Sequence, residues 1–149
     1  MSVEQRRSPR IIDYLPLEVF AVKARGGQTV AGPFSGRIID ISSHGACLLM
    51  TQVFHHGFHI FHSTRDADDA LLQLRIIDLP ELDPCPLLAV PVWLDLFRRQ
   101  EIRAFKMGIE FIEGPEGQEM KELQRALEKN QPQRAGWWQA HGRIWGQKD

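Results

Sequence analysis

The chain is poor in the residues that most often announce chemistry. Its 149 residues hold only two cysteines. Cys47 sits in an apolar run and Cys85 in Asp83-Pro84-Cys85-Pro86, without the paired spacing of a zinc or redox motif, so both read as buried or free thiols rather than a disulfide. There is no surplus of either charge: 18 Lys and Arg against 19 Asp and Glu leave a net −1. Without a global positive field there is no basis for non-specific DNA or RNA binding, and any anion site must be local. No run reaches the ~18 apolar residues that span a bilayer, and the opening Met1-Ser2-Val3-Glu4-Gln5-Arg6-Arg7 has no apolar signal-peptide core. The expectation is a cytoplasmic protein without membrane insertion. Glycine-rich phosphate loops, nucleophile elbows and paired-cysteine motifs are missing too, so catalysis has no anchor and the chain reads as a non-enzyme with no cofactor.

What is present is a globular composition, 43% hydrophobic and 25% charged, with room for a single core. From Leu15 the pattern is one of strands. Leu15 to Ala24 alternates and ends at the turn signal Arg25-Gly26-Gly27-Gln28; Phe34 to Ile41, Gly45 to Thr51, Ala70 to Asp78 and Leu87 to Phe97 follow. The last strand has the clearest period of two, with Phe105, Met107, Ile109 and Phe111 on one face and Lys106, Gly108 and Glu110 on the other. Six short strands joined by turns predict a small antiparallel barrel or sandwich. Gly114-Pro115-Glu116 then opens a helix whose apolar face is Met120, Leu123 and Leu127 beside Ala126, stopped at Asn130-Gln131-Pro132. The tail from Gln133 carries Trp137, Trp138 and Trp145, three of the chain's four tryptophans. Such a tail either folds back onto the barrel or awaits a partner.

Histidines cluster in Phe54-His55-His56-Gly57-Phe58-His59-Ile60-Phe61-His62, where His55, His59 and His62 would share a face if the segment were helical. Gly57 and the aromatics weaken a helix, and no carboxylate or cysteine is interleaved before Asp66. The segment therefore reads as a loop over part of the barrel, with no metal, although its histidines can make the region pH-sensitive.

Two polar stretches remain. Arg6-Arg7-Ser8-Pro9-Arg10 has the form Arg-x-x-x-Arg, and because Pro9 biases Ser8 toward extended backbone, Arg6 and Arg10 form a spread pair of cationic forks. Asp40-Ile41-Ser42-Ser43-His44-Gly45 has the form Asp-x-Ser-x-x-Gly between two apolar runs, a turn whose Asp and Ser can bond nearby backbone and whose Gly is free to take positive φ. In this order, and followed by Leu88-Ala89-Val90-Pro91-Val92-Trp93 and the closing Gly108-Ile109-Glu110-Phe111, the pair resembles the PilZ domain, the bacterial receptor module for the second messenger cyclic di-GMP.

The resemblance implies a six-stranded antiparallel β-barrel with a C-terminal helix over residues 1–130 (arm 1–14, barrel 15–112, helix 113–130), with 131–149 as a tryptophan-rich tail. It implies a non-enzymatic bacterial signal-transduction effector in which Arg6, Arg10 and, to a lesser degree, Arg7 meet phosphates and guanine O6/N7 edges. Asp40 would accept from the guanine donor edge, Ser42 would bond a phosphate or base, and Gly45 would leave room for the ligand. Ordering of the arm on binding would signal to a protein partner. Gln5 stands where many relatives carry another arginine, which favours one bound ligand over a stacked pair. A second reading keeps the fold and makes the chain an adaptor that binds no nucleotide and acts through the tail.

Overall fold

The computed structural model describes residues 11–77, 87–99, 102–114, 117–128 and 131–141. Strands β1 (Ile11–Lys23), β2 (Thr29–Ile41) and β3 (Gly45–Met50) come first. A two-residue hairpin, β4 (Phe54–His55) and β5 (Phe58–His59), leads into the short helix α1 (His62–Asp66). Then come β6 (Ala70–Ile76), β7 (Leu87–Arg99), β8 (Ile102–Phe111), α2 (Gln118–Leu127) and α3 (Gln131–His141). The six long strands close into an antiparallel barrel in the order β1-β2-β3-β8-β7-β6.

Alternation decides which side chains fill it. Leu15, Leu17, Val19 and Ala21 of β1 point inward with Ile38 and Ile41 of β2, Leu48 and Met50 of β3, Leu72 and Leu74 of β6, and Met107 and Ile109 of β8, all in one buried cluster. The period read in the last strand is therefore the inward face of β8. Met120 and Leu123 of α2 join the same cluster, so the helix expected after Gly114 closes the core, although it starts at Gln118. A smaller cluster lies on the outer face, where Ile39, Cys47, Leu49 and Ala104 pack with Tyr14 and Phe97.

Other boundaries differ from the expectation as well. The first strand begins at Ile11 rather than Leu15, because Ile11 and Ile12 already pair with Ile41 and Asp40. The second begins at Thr29 rather than Phe34; a register shift opposite Val19 and Ala21 absorbs Gly32-Pro33. At the C-terminal side, α2 stops at Leu127 as the Asn130-Gln131-Pro132 signal requires, yet Gln131 and Pro132 open another helix, since proline is well placed in a first turn. This helix, α3, folds back onto β1. Gln131 Nε2 donates to the Ile12 carbonyl, and the Arg134 guanidinium grips the fully buried Asp13, Nε to Oδ1 at 2.5 Å and Nη2 to Oδ2 at 3.1 Å. Trp137 and Trp138 lie within α3, and Trp145 lies outside the described residues.

The histidine segment is not a helix with three histidines on one face. It is the β4–β5 hairpin, turned by His56 and Gly57 at positive φ, followed by α1. Among the described residues no group of three or more His, Cys, Asp or Glu side chains is arranged to hold a metal ion, and no helix is long and apolar enough to cross a membrane.

Candidate functional site

The turn between β2 and β3 is tied by its own serine. Ser42 is buried; its Oγ accepts from the backbone N–H of His44 (3.2 Å) and Gly45 (3.3 Å) and donates to the Gly45 carbonyl (3.4 Å), while Ser42 N–H donates to the same carbonyl at 2.8 Å. With one donor and two acceptor positions, that hydroxyl is fully used within the turn. The His44 carbonyl accepts from Phe111 N–H at 2.8 Å, which anchors the turn to the end of β8. Gly45 does not take the left-handed backbone expected of it. Its glycine requirement comes from the barrel instead, because a Cβ there would run into the Ile109 carbonyl oxygen across the β3–β8 ladder.

Asp40, the motif's carboxylate, is half-buried on the outer face. Its position depends on a bulge. Arg37 pairs with Leu49, Ile38 with Leu48, and Asp40 with Cys47, so Ile39 is an extra residue and Arg37 and Asp40 face outward together despite odd spacing. Asp40 also pairs with Ile12, two residues after Arg10, and Ile11 pairs with Ile41. The chain that follows the arginine arm thus enters the barrel directly against the motif turn. Arg6, Arg7 and Arg10 themselves lie outside the described residues.

Continuing across the outer face, Cys47 pairs with Gly108 and Gly108 with Trp93. Asp40, Cys47, Gly108 and Trp93 form one row over four strands. The Trp93 indole lies over Gly108, where any Cβ would meet its Nε1 and Cε2, and the side chain remains 41% exposed. Next along the barrel is an open groove of about 310 Å³ lined by Tyr14, Glu18, Ser35, Arg37 and Thr51, with the Arg37 guanidinium 4.3 Å above the Tyr14 ring. The row and groove together present a carboxylate, an aromatic plate, and a cation held flat on a second aromatic. Such a surface suits a planar, hydrogen-bonding, anionic ligand. Sequence reasoning singled out neither Trp93 nor Arg37. The signal for Trp93 was available in its strand partner Gly108, the one glycine of β8.

Fold and site together define a small closed β-barrel domain with a helix packed on its core. The chain belongs to the PilZ domain family, whose sequence profile matches residues 4–129. Its fold is similar to that of the PilZ domain of YcgR from Escherichia coli, solved with c-di-GMP, at 14% identity, covering 93% of this chain and 96% of that one with a TM-score of 0.54. The c-di-GMP complex of K. pneumonia MrkH aligns at 18% identity over 85% of this chain and 51% of that one, with a TM-score of 0.45. No curated protein sequence matches the chain.

Proposed function

We propose that this PilZ domain is a non-enzymatic receptor for cyclic di-GMP, which it holds between the arginine arm and the outer face at Asp40. The observation that carries the reading is the pairing of Ile12 with Asp40, since it sets the strand that follows the Arg-x-x-x-Arg motif in sequence against the Asp-x-Ser-x-x-Gly turn. Arg6 and Arg10 supply the forks for phosphates and guanine O6/N7, with Arg7 adding charge. Asp40 accepts from a guanine donor edge, and Trp93 offers a plate on which a base can stack. Ser42 and Gly45 act through the backbone: the hydroxyl fixes the turn, and the glycine lets it seat against β8. Closure of the arm over the ligand is the signal passed to a protein partner.

Isothermal titration of the intact chain with cyclic di-GMP tests the reading. The expected result is 1:1 binding near micromolar affinity, about −8 kcal/mol, with GTP and cyclic GMP as silent controls. Arg6→Ala and Arg10→Ala each remove most of the heat while leaving the thermal transition in place. Absence of heat with the intact chain refutes it.

A further inference from the structure

The histidine segment lies outside the nucleotide reading, yet its bonds run toward Trp93. His59 Nδ1 accepts the backbone N–H of both Phe61 and His62, each at 3.1 Å, and His59 N–H donates to Ser63 Oγ at 2.9 Å. This is a reciprocal cap on the first turn of α1, built on an imidazole instead of a serine. From the same short helix, Arg65 Nη1 reaches β7 and donates to the carbonyls of Pro91 (3.0 Å) and Val92 (3.2 Å). Those two residues sit at the register shift immediately before Trp93. Along β7, the pairing with β6 ends at Ala89, so Arg65 bonds carbonyls just past the point where β6 gives out.

Docking of α1 is also finely balanced. Ile60 and Phe61 are buried with the core, but Thr64 is buried as well, its Oγ1 without a hydrogen-bond partner. An unsatisfied buried hydroxyl opposes docking, and the cap and the Arg65 bonds help the burial of Ile60 and Phe61 to offset it.

We propose that residues 54–66 form a proton-sensitive strut: a proton on His59 Nδ1 removes the cap of α1 and, with it, the Arg65 bonds that fix the β7 bulge beside Trp93. The cation would place an N–H against the two backbone N–H groups it now accepts. The His62 ring, 4.5 Å away on α1, opposes that proton by charge, and the Phe54 ring lies across the hairpin at 6.4 Å. Among the described side chains, the other titratable or charged groups of the surrounding elements are His55 and His56 in the hairpin, Arg65 and Asp66 on α1, Arg75 on β6, and Asp95 and Arg98 on β7. Burial and then His62 hold the His59 pKa below its ordinary value, in keeping with a neutral, capping ring. Only the effect on ligand affinity rests on the proposed nucleotide site; the strut itself does not.

The test is a pH titration of the full chain followed by NMR, reading the Val92 and Trp93 amides and the Trp93 indole. In the wild type these signals move together with the His59 ring. In His59→Asn, whose amide oxygen caps without titrating, they stay fixed at their high-pH positions, and in His44→Gln they respond as in the wild type. In Arg65→Gln they sit displaced at every pH and no longer follow His59. Static Trp93 signals while His59 titrates, or an undiminished response in His59→Asn, overturn the proposal. In the binding arm, cyclic di-GMP affinity falls about fivefold between about pH 7.5 and about pH 5.5, the scale of one helix cap, in the wild type but not in His59→Asn. Nucleotide binding absent at every pH, with the NMR response intact, refutes the receptor reading and supports the strut.

Discussion

Replacing Arg134 by Ala isolates a buried charge. Asp13 is fully buried in β1, and its carboxylate is held by both Arg134 nitrogens and by the Tyr14 backbone N–H at 2.7 Å. Truncation of Arg134 leaves one neutral donor for a group that water cannot reach. Removing one partner of a buried pair costs about 3–5 kcal/mol, far more than the pair is worth against an apolar replacement. Two responses are open to the protein. If α3 stays docked, the whole loss falls on the barrel, and a cost of about 3 kcal/mol lowers the Tm by about 6–12 °C for a chain of this size. If α3 lifts instead, Asp13 is rehydrated and the loss is capped at the docking energy of a helix whose other polar tie to β1 is the Gln131 bond to the Ile12 carbonyl. Thermal denaturation together with amide hydrogen exchange separates the two: a large Tm drop with protected α3 amides, or a small drop with fast exchange confined to 131–141. The double variant Asp13→Val, Arg134→Leu recovers most of the lost stability, because no charge is left stranded. A Tm within about 1 °C of wild type with α3 still protected refutes the assignment of a stabilising role to this pair.

Gly45→Ala drives a methyl group into the Ile109 carbonyl oxygen, so chemical denaturation shows a loss of about 1–3 kcal/mol even in the absence of ligand. Trp93→Ala leaves the fold intact, as a partly exposed side chain should, but weakens cyclic di-GMP binding by about 1–3 kcal/mol in calorimetry, whereas Trp93→Phe retains part of the stacking. Because the folded-state pKa of His59 lies below 6.5, its contribution is complete above that pH and is lost as pH falls from there toward the lowered folded value. Urea midpoints therefore decline on acidification below 6.5, less steeply in His59→Asn, and equal slopes in the two proteins contradict this account.

The barrel was legible because its inward residues obey a period of two over long stretches, most plainly from Phe105 to Phe111. Period alone misplaces Asp40, however. Strict alternation from Ile38 turns the carboxylate into the core, and only the extra residue Ile39 returns it to the outer face beside Arg37. A bulge is a property of two paired strands, so one strand's sequence does not announce it. The same limit hid the reason for Gly45, which is a contact with a residue 64 positions later, between Gly45 and Ile109. It also hid Trp93, whose significance lies in Gly108 across the ladder. The tail was ambiguous because tryptophan content states that surface must be covered without stating by what; Asp13, polar in a strand otherwise apolar on that face, was the missing half of its docking with Arg134. Arg6, Arg7 and Arg10 rest on the motif alone, as they precede the described strand.

The β6–β7 ladder gives the barrel an uneven wall, because it ends at Ala89 while β7 runs on to Arg99. Past that point β7 is paired on one side, with β8, from Pro91–Ile109 to Arg99–Ile102. A stretch of strand held on one side is easier to displace than one held on both, so local opening has a preferred place in the part of β7 beyond Ala89. Trp93, beside the bulge, stands on that stretch. A rigid scaffold would offer a ligand one fixed surface; this one carries its aromatic plate on the part of the wall that is easiest to move.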